Sequence, residues 1–169
     1  MGLDFAAVFK KPINFEGHTN NEFTPFSRAL SNFFYANYYG ADSTFEELED
    51  LLKINLKFLI EPNLFDYRID EMQMEFAVGS EKEKLVEKQK ELDQNSHKAW
   101  KDINEYLTKL VDTIKTISES NKLAELTPDR KEWHKYIQSG EFKDDLTRLK
   151  ELLQEAGKNE NESFSFEIY

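Results

Sequence analysis

The residue types that usually carry catalysis or bind metals occur here without the spacing that either function requires. The chain has no Cys, which excludes disulfides, cysteine nucleophiles and thiolate zinc sites. His18, His97 and His134 lie far apart, and none follows a Glu by three residues, as a di-iron bundle requires. The zinc-protease motif His-Glu-x-x-His and the EF-hand loop are also absent. We therefore expect no metal site and three unrelated histidines at the surface or its edge.

Motifs for phosphate binding and for a serine nucleophile are missing as well. The six Gly residues form neither Gly-x-Gly-x-x-Gly nor Gly-x-x-x-x-Gly-Lys, and no Gly-x-Ser-x-Gly elbow occurs. A carboxylate pair acting as general acid and base needs no such motif, and 33 Asp and Glu residues offer many pairs that a sequence cannot rank. We expect a protein that is not an enzyme and has no cofactor. An enzyme with an unrecognised carboxylate site remains an alternative.

Acidic residues are concentrated in about a quarter of the chain. The 169 residues include 22 Lys and Arg against 33 Asp and Glu, a net charge of −11. Residues 41–81 hold eleven acidic and three basic residues, a net charge of −8. Residues 1–40 are neutral, and residues 82–169 carry the remaining −3. The sequence therefore predicts one strongly negative segment rather than a uniformly acidic surface.

Four acids of this segment are candidate partner-binding residues. They are Asp42, Glu46, Glu49 and Asp50, at the start of a predicted helix. One interpretation is a solvated face, since acidic residues are favourable near a helix N-terminus. The other is a surface for a basic partner protein, because the charge exceeds what capping needs. Both interpretations stay open on the sequence alone.

Aromatic residues next to these acids are candidate anchors. Fifteen of the 23 aromatic residues lie within residues 1–76. The predicted helix that ends at Gly40 cannot bury five of them on one side: Phe33, Phe34, Tyr35, Tyr38 and Tyr39. Tyr is favoured as an interface anchor. Tyr38, Tyr39 and Phe45 flank the acidic helix start, so we expect them to bind the partner if they are exposed.

Nucleic acid and membrane are not expected partners. Lys82–Lys90 is the Lys-rich stretch, but Glu83 and Glu87 interrupt it, which favours i,i+4 ion pairs over phosphate contacts. No apolar run reaches the roughly 18 residues that span a bilayer. Asp4 stands where a signal peptide would have Lys or Arg. We expect a cytoplasmic protein.

The elements that must position these residues begin with a strand at each end of the chain. Apolar residues alternate at Leu3, Phe5, Ala7 and Phe9, and again at Phe164, Phe166 and Ile168. Period-two alternation predicts half-buried strands. Because two short strands in one chain have few other partners, we expect them to pair as a ribbon. Helices should cover its apolar face, since an isolated ribbon is only marginally stable.

The region between the ends has helical spacing. Predicted helix starts are Thr24-Pro25, Ser43-Thr44, Ser80, Ala99, Thr127 and the residue after Gly140, and stop signals are Gly40, Pro62, Gly140 and Gly157. The helix after Ser80 has few apolar residues and either breaks near residue 95 or forms an exposed rod. The clearest apolar stripe runs from Ala99, through Trp100, to Ile117. With a second stripe from Phe142 to Ala156, it should supply the core.

Residues 63–78 fit two periods. Met72, Met74, Phe76 and Val78 would line one face of a strand, whereas Phe65, Ile69, Met72 and Phe76 would line one face of a helix. Asn63 as a cap and Gly79 as a stop favour the helix, as do Met, Glu and Gln. We predict a helix here.

Together these patterns predict one mainly α domain over residues 1–169. It is a bundle of amphipathic helices with a small β-ribbon made by the terminal strands. The expected function is to bind a basic partner protein and inhibit it. Immunity proteins that neutralise toxins and phage inhibitors of defence nucleases share this profile, which is an analogy of class only. A structural protein that self-associates is the second alternative.

Overall fold

The computed structural model describes residues 4–24, 27–40, 43–126 and 132–169. Within them, four antiparallel strands form one sheet in the order β2-β1-β4-β3. The strands are β1 (Phe5–Phe15), β2 (His18–Phe23), β3 (Lys101–Asp102) and β4 (Ser163–Ile168). The helices are α1 (Arg28–Tyr38), α2 (Thr44–Leu52), α3 (Glu71–Phe76), α4 (Gly79–Asn95), α5 (Ile103–Glu119), α6 (Glu132–Gln138) and α7 (Glu141–Lys158). The predicted fold class, mainly helical with a small sheet, is confirmed.

The terminal strands pair as predicted. Phe5 lies opposite Ile168 and Phe9 opposite Phe164 in the antiparallel ladder between β1 and β4. Phe5, Phe9, Phe164 and Phe166 are all buried in one cluster. Phe5 contacts Phe166 edge-on with ring centroids 6.0 Å apart. The first and last strands are therefore the two central strands of the sheet, and their buried side chains form part of the core.

The sheet is wider than the predicted ribbon, because β1 also forms a hairpin with β2. A two-residue turn at Glu16 and Gly17 joins them, and both residues have positive φ, as hairpin turns with the twist of the strands require. The register shifts between Val8 and Ile13. At this irregularity the Asn161 side chain accepts a hydrogen bond from the Lys11 amide at 2.9 Å and donates one to the Lys11 carbonyl at 3.1 Å.

Helices α5 and α7 cover the apolar face of the sheet. The predicted face of α7 is buried: Phe142, Leu146, Leu149, Leu152, Leu153 and Ala156. On α5, Ile103 and Leu110 are buried, whereas Leu107 and Ile114 are partly buried. Trp100 precedes α5 and is only partly buried, with the Lys10 ammonium 5.0 Å from its ring centroid, so its assignment to the core is wrong.

The starts of α1 and α4 differ from the predicted ones. Helix α1 begins after Ser27, whose side chain accepts from the Leu30 amide at 3.1 Å, rather than at Thr24. Helix α4 begins at Gly79, so Ser80 lies inside it and is not its cap. It ends at Asn95, where a break was predicted, and does not run on into α5; none of its residues is buried, so it is an exposed rod. The start predicted at Thr127 lies outside the described residues.

Helix α2 is shorter than the predicted run to Pro62. It ends at Leu52, and Lys53 adopts a left-handed conformation with φ of 56°. The chain then forms a short 3₁₀ helix at Lys57–Ile60. Leu56, Phe58 and Leu59, at and beside this 3₁₀ helix, are buried in the core.

Residues 63–78 are helical only in part. Asn63 caps a 3₁₀ helix at Leu64–Tyr67 by accepting from the Phe65 amide at 2.8 Å, as its predicted role as a cap requires. Helix α3 follows after an extended link and has only six residues. The predicted long helix is wrong, and so is its buried stripe, because Phe65, Met72 and Phe76 are exposed.

Candidate functional site

The end of α1 and the start of α2 meet at a corner fixed by one side chain. The Asn37 side chain donates to the Phe33 carbonyl at 2.9 Å and accepts from the Phe45 amide at 3.0 Å. The amide side chain thus bonds both its own helix and the first turn of the next. This corner places the tyrosines of α1 beside the acids of α2.

An aromatic cluster lies at this corner and partly faces solvent. Tyr39 contacts Tyr35 at 4.4 Å, Tyr38 at 4.8 Å and Phe65 at 6.2 Å between ring centroids. Tyr39 is 46% exposed and Phe65 is 38% exposed, whereas Tyr35 and Tyr38 are partly buried. We call these four residues the aromatic corner. It joins α1 to the segment after Asn63, a contact that the sequence did not reveal.

Phe45 does not belong to the exposed surface. Its side chain is 3% exposed and contacts Phe33 at 5.1 Å and Phe34 at 6.2 Å, both edge-on. The prediction that Phe45 anchors a partner depended on its exposure, and the structure contradicts that. Phe45 instead holds the first turn of α2 to the core, which orients the acids around it.

The four predicted acids have different surroundings. Glu46 and Asp50 are exposed on α2. Glu49 is partly buried, and its Oε1 accepts hydrogen bonds from the Leu56 amide at 2.7 Å and the Lys57 amide at 3.2 Å. Its carboxylate therefore caps the next 3₁₀ helix. Asp42 lies outside the described residues.

Glu47, the remaining acid of this turn, contacts a histidine from a distant part of the chain. Its Oε2 lies 2.7 Å from His134 Nε2, and His134 is 5% exposed. The prediction that all three histidines are at the surface is therefore wrong for His134. Its partner is 87 residues away in sequence, so no local pattern indicated the pair.

Among the described residues, the most exposed large apolar side chains lie around α3. Met72 is 65% exposed, Phe76 75% and Val78 76%. The predicted helix placed Met72 and Phe76 on a buried face, whereas Val78 belonged only to the strand alternative. Asp70 begins α3 by accepting from the Met72 amide at 2.8 Å. We call Met72, Phe76 and Val78 the apolar ridge.

Five acidic residues lie close in sequence to the apolar ridge. They are Asp66, Asp70, Glu71, Glu75 and Glu81, and Arg68 is the basic residue among them, paired with Glu167. Partial burial raises the pKa of Asp66 from its ordinary value. Burial, and then the neighbouring Tyr35, raise the pKa of Tyr39. The aromatic corner, the apolar ridge and the exposed acids of residues 43–50 and 66–81 are neighbours in the sequence, and Tyr39 contacts Phe65; together they are named the binding face.

Among the described residues, no Asp or Glu side chain is fully buried, and no group of three His, Asp or Glu is arranged to hold a metal ion. No helix in the same ranges is both long and apolar enough to cross a membrane.

Comparison with family models, curated proteins and solved structures finds no match to this chain.

Proposed function

We propose that this protein binds a basic partner protein through the binding face and blocks that partner's activity. The observation that carries the proposal is the coincidence of exposed apolar residues with acidic ones in one part of the chain. Of the eight large hydrophobic residues exposed in the described ranges, five lie between Tyr39 and Val78. Exposed apolar surface of this kind, rimmed by polar residues, is typical of protein interaction sites.

We expect the aromatic rings and the acidic residues to contribute differently to binding. Tyr39, Phe65 and Phe76 present large rings whose burial against a partner would supply most of the binding free energy. Glu46, Asp50 and Asp66 would attract a basic surface and fix its orientation, since charges at the rim act mainly on association. Asp66 is partly desolvated before any partner binds, so a cation placed beside it would relieve an existing cost.

The charge of the binding face also argues against self-association. Residues 43–81 contain ten acidic and three basic residues. A two-fold dimer through this face would place the same negative surface against itself. A basic partner avoids this repulsion. Self-association of this chain is therefore less favoured than binding to a different protein.

Inhibition rests on the class analogy with immunity proteins and phage inhibitors of nucleases. Nucleases and many toxins have basic active-site surfaces because they bind phosphate backbones. An acidic protein with an apolar ridge can cover such a surface and compete with the nucleic acid. This makes a nucleic-acid-binding enzyme the partner class that best fits the proposal.

The experiment is affinity capture from cells of the native host with three baits. They are the wild type, Phe76→Ser, and Val111→Ser as the matched control, because Val111 is 44% exposed but lies on α5 outside the binding face. The proposal predicts a basic protein captured by the wild type and by Val111→Ser, and lost with Phe76→Ser. It also predicts that the purified pair binds and that the partner loses activity when bound. A partner retained equally by all three baits, or retention of full activity in the complex, would overturn it.

A further inference from the structure

Helix α3 is held at both of its ends but not along its length. Before it, the Ile69 amide donates to Gln89 Oε1 of α4 at 2.9 Å. After it, Ala77 is 5% exposed. Asp70 caps its first turn by accepting from the Met72 amide at 2.8 Å. No residue of α3 itself is buried. The helix is therefore held in place at the surface with most of its side chains in solvent.

The apolar residues of α3 lie on two opposite faces. At about 100° per residue, Met72 and Phe76 fall on one face and Met74 falls on the other. Met74 is partly buried, whereas Met72 is 65% exposed and Phe76 is 75% exposed. Met74 therefore faces the body of the protein, and Met72 with Phe76 forms what we call the outer face of α3. A surface helix needs one apolar face to pack on its own protein, so the outer face is available for another molecule.

The two flanks of the outer face differ in charge. Glu71 and Glu75 are four residues apart and lie along one flank, whereas Gln73 lies along the other. All three side chains are exposed. In the described part of the chain, neither Glu71 nor Glu75 forms an ion pair. A molecule that covers the outer face therefore meets negative charge on one side of it and a neutral amide on the other.

We infer that the partner receives α3 as a helix in an apolar groove, and that this groove carries Lys or Arg along one rim only. A helix that lies in a groove is anchored by side chains at positions such as i and i+4, which is the spacing of Met72 and Phe76. Basic residues on the rim beside Glu71 and Glu75 complement their charge, and the rim beside Gln73 needs no charge. This mode of binding rests on the proposed function, and it specifies which element of the chain enters the partner.

The test moves one charge across α3 without changing the total. Isothermal titration calorimetry at low salt measures the affinity of the captured basic protein for the wild type, Glu75→Gln, Gln73→Glu and the double variant that combines both substitutions. We expect Glu75→Gln to weaken binding about fivefold and Gln73→Glu not to strengthen it. The double variant has the net charge of the wild type, but it should bind no more tightly than Glu75→Gln. If only net charge matters, Gln73→Glu strengthens binding and the double variant binds like the wild type, which would overturn the one-sided rim.

A second pair of substitutions tests whether the partner receives α3 as a helix. Gln73→Gly lowers the stability of the helix without changing its charge, whereas Gln73→Ala does not lower it. Glycine should therefore weaken binding several-fold, and alanine should not weaken it. Gln94→Gly is the matched control, because Gln94 is an exposed glutamine of α4, and it should leave the affinity within about twofold of the wild type. Equal affinities of Gln73→Gly and Gln73→Ala would contradict binding as a helix.

The results also separate this mode of binding from the proposed function. A captured partner that is lost with Phe76→Ser, yet binds Gln73→Gly and the double charge variant as tightly as the wild type, would overturn the groove and leave the proposed function standing. If the wild type captures no basic protein from the native host, the proposed function and the groove both fall.

Discussion

At the residue scale, the contact between His134 and Glu47 shows what sequence reasoning could not reach. His134 is followed by charged Lys135 and preceded by Trp133, a context that predicts an edge residue. The structure buries it because the first turn of α2 supplies a carboxylate at 2.7 Å. A polar group is tolerated inside a protein when it has a hydrogen-bond partner. Such a partner 87 residues away leaves no trace in local spacing.

Replacing this histidine should destabilise the fold. His134→Ala removes a buried side chain and its hydrogen bond to a carboxylate, which together should lower the free energy of unfolding by about 2–3 kcal/mol. His18→Ala is the control, since His18 is exposed, and should change it by less than about 0.5 kcal/mol. Urea unfolding followed by circular dichroism measures both. A loss from His134→Ala no larger than that of the control would show that the contact has no structural role.

Asp66 offers a prediction with a pH dependence. Its pKa is raised in the folded protein because partial burial disfavours the charged form. The unfolded chain loses this proton at a lower pH, so the ionised carboxylate costs stability at neutral pH and the cost disappears below the unfolded pKa. Asp66→Asn should therefore be more stable than the wild type at pH 7. The difference in unfolding free energy should shrink as the pH falls toward 4.

The same substitution should weaken binding to the partner, since it removes an acid from the binding face. Greater stability combined with weaker binding is the pattern expected of a residue kept for function rather than for folding. If Asp66→Asn is less stable than the wild type at pH 7, the carboxylate has a structural role that this account does not assign to it.

At the element scale, the alternating ends predicted β1 and β4, because alternation reports burial on one face of a strand. Strand β2 has no alternation, because its residues are polar and mostly exposed, so it was not predicted. The prediction for residues 63–78 was wrong for a different reason. Their apolar spacing is real, but Phe65, Met72 and Phe76 are exposed, and spacing alone does not show whether another element covers a face.

The pairing of the ends leads to a truncation experiment. Strand β4 lies between β1 and β3, so deleting residues 162–169 removes a central strand and the buried Phe164, Phe166 and Ile168. Each buried Phe is worth on the order of 3 kcal/mol, and the stability of a whole domain is about 5–15 kcal/mol. The truncated chain should therefore have no cooperative thermal transition.

A milder variant gives the same test without removing the strand. Phe164→Ala should lower the free energy of unfolding by about 3–5 kcal/mol while the chain still folds. The matched change outside the core is Lys115→Ala, an exposed residue of α5, which should have little effect. A truncated chain that melts at the wild-type temperature would contradict the central position of β4.

At the scale of the whole molecule, buried side chains from both ends of the chain and from the helices between them share one cluster. The sequence predicted this much because periodicity and composition report burial. It also located the negative segment, since charge is read directly from residue types. It could not show which aromatic residues in or beside that segment face solvent, because the exposure of Phe45 and Tyr39 depends on the tertiary contacts around them.

The unequal distribution of charge is the property on which the proposed function depends. Charges on an exposed face attract an opposite surface over a Debye length of about 8 Å at physiological salt, so they accelerate association. Dissociation depends instead on the desolvated anchors. Removing Tyr38 or Tyr39 should therefore mainly speed dissociation, and reversing the acids should mainly slow association.

The most direct test of the proposed function is the rate at which the purified partner associates with this protein, measured by surface plasmon resonance at two salt concentrations. The charge-reversed pair Glu46→Lys with Asp50→Lys is compared with Glu83→Lys with Glu91→Lys, which changes the net charge equally on the exposed rod α4. We predict that the first pair slows association about tenfold at low salt and flattens its salt dependence, with little change in dissociation. The pair on α4 should have a much smaller effect. Equal rates for the two variants would show that the acids of α2 form only a solvated face, and would contradict the proposal that they steer a basic partner.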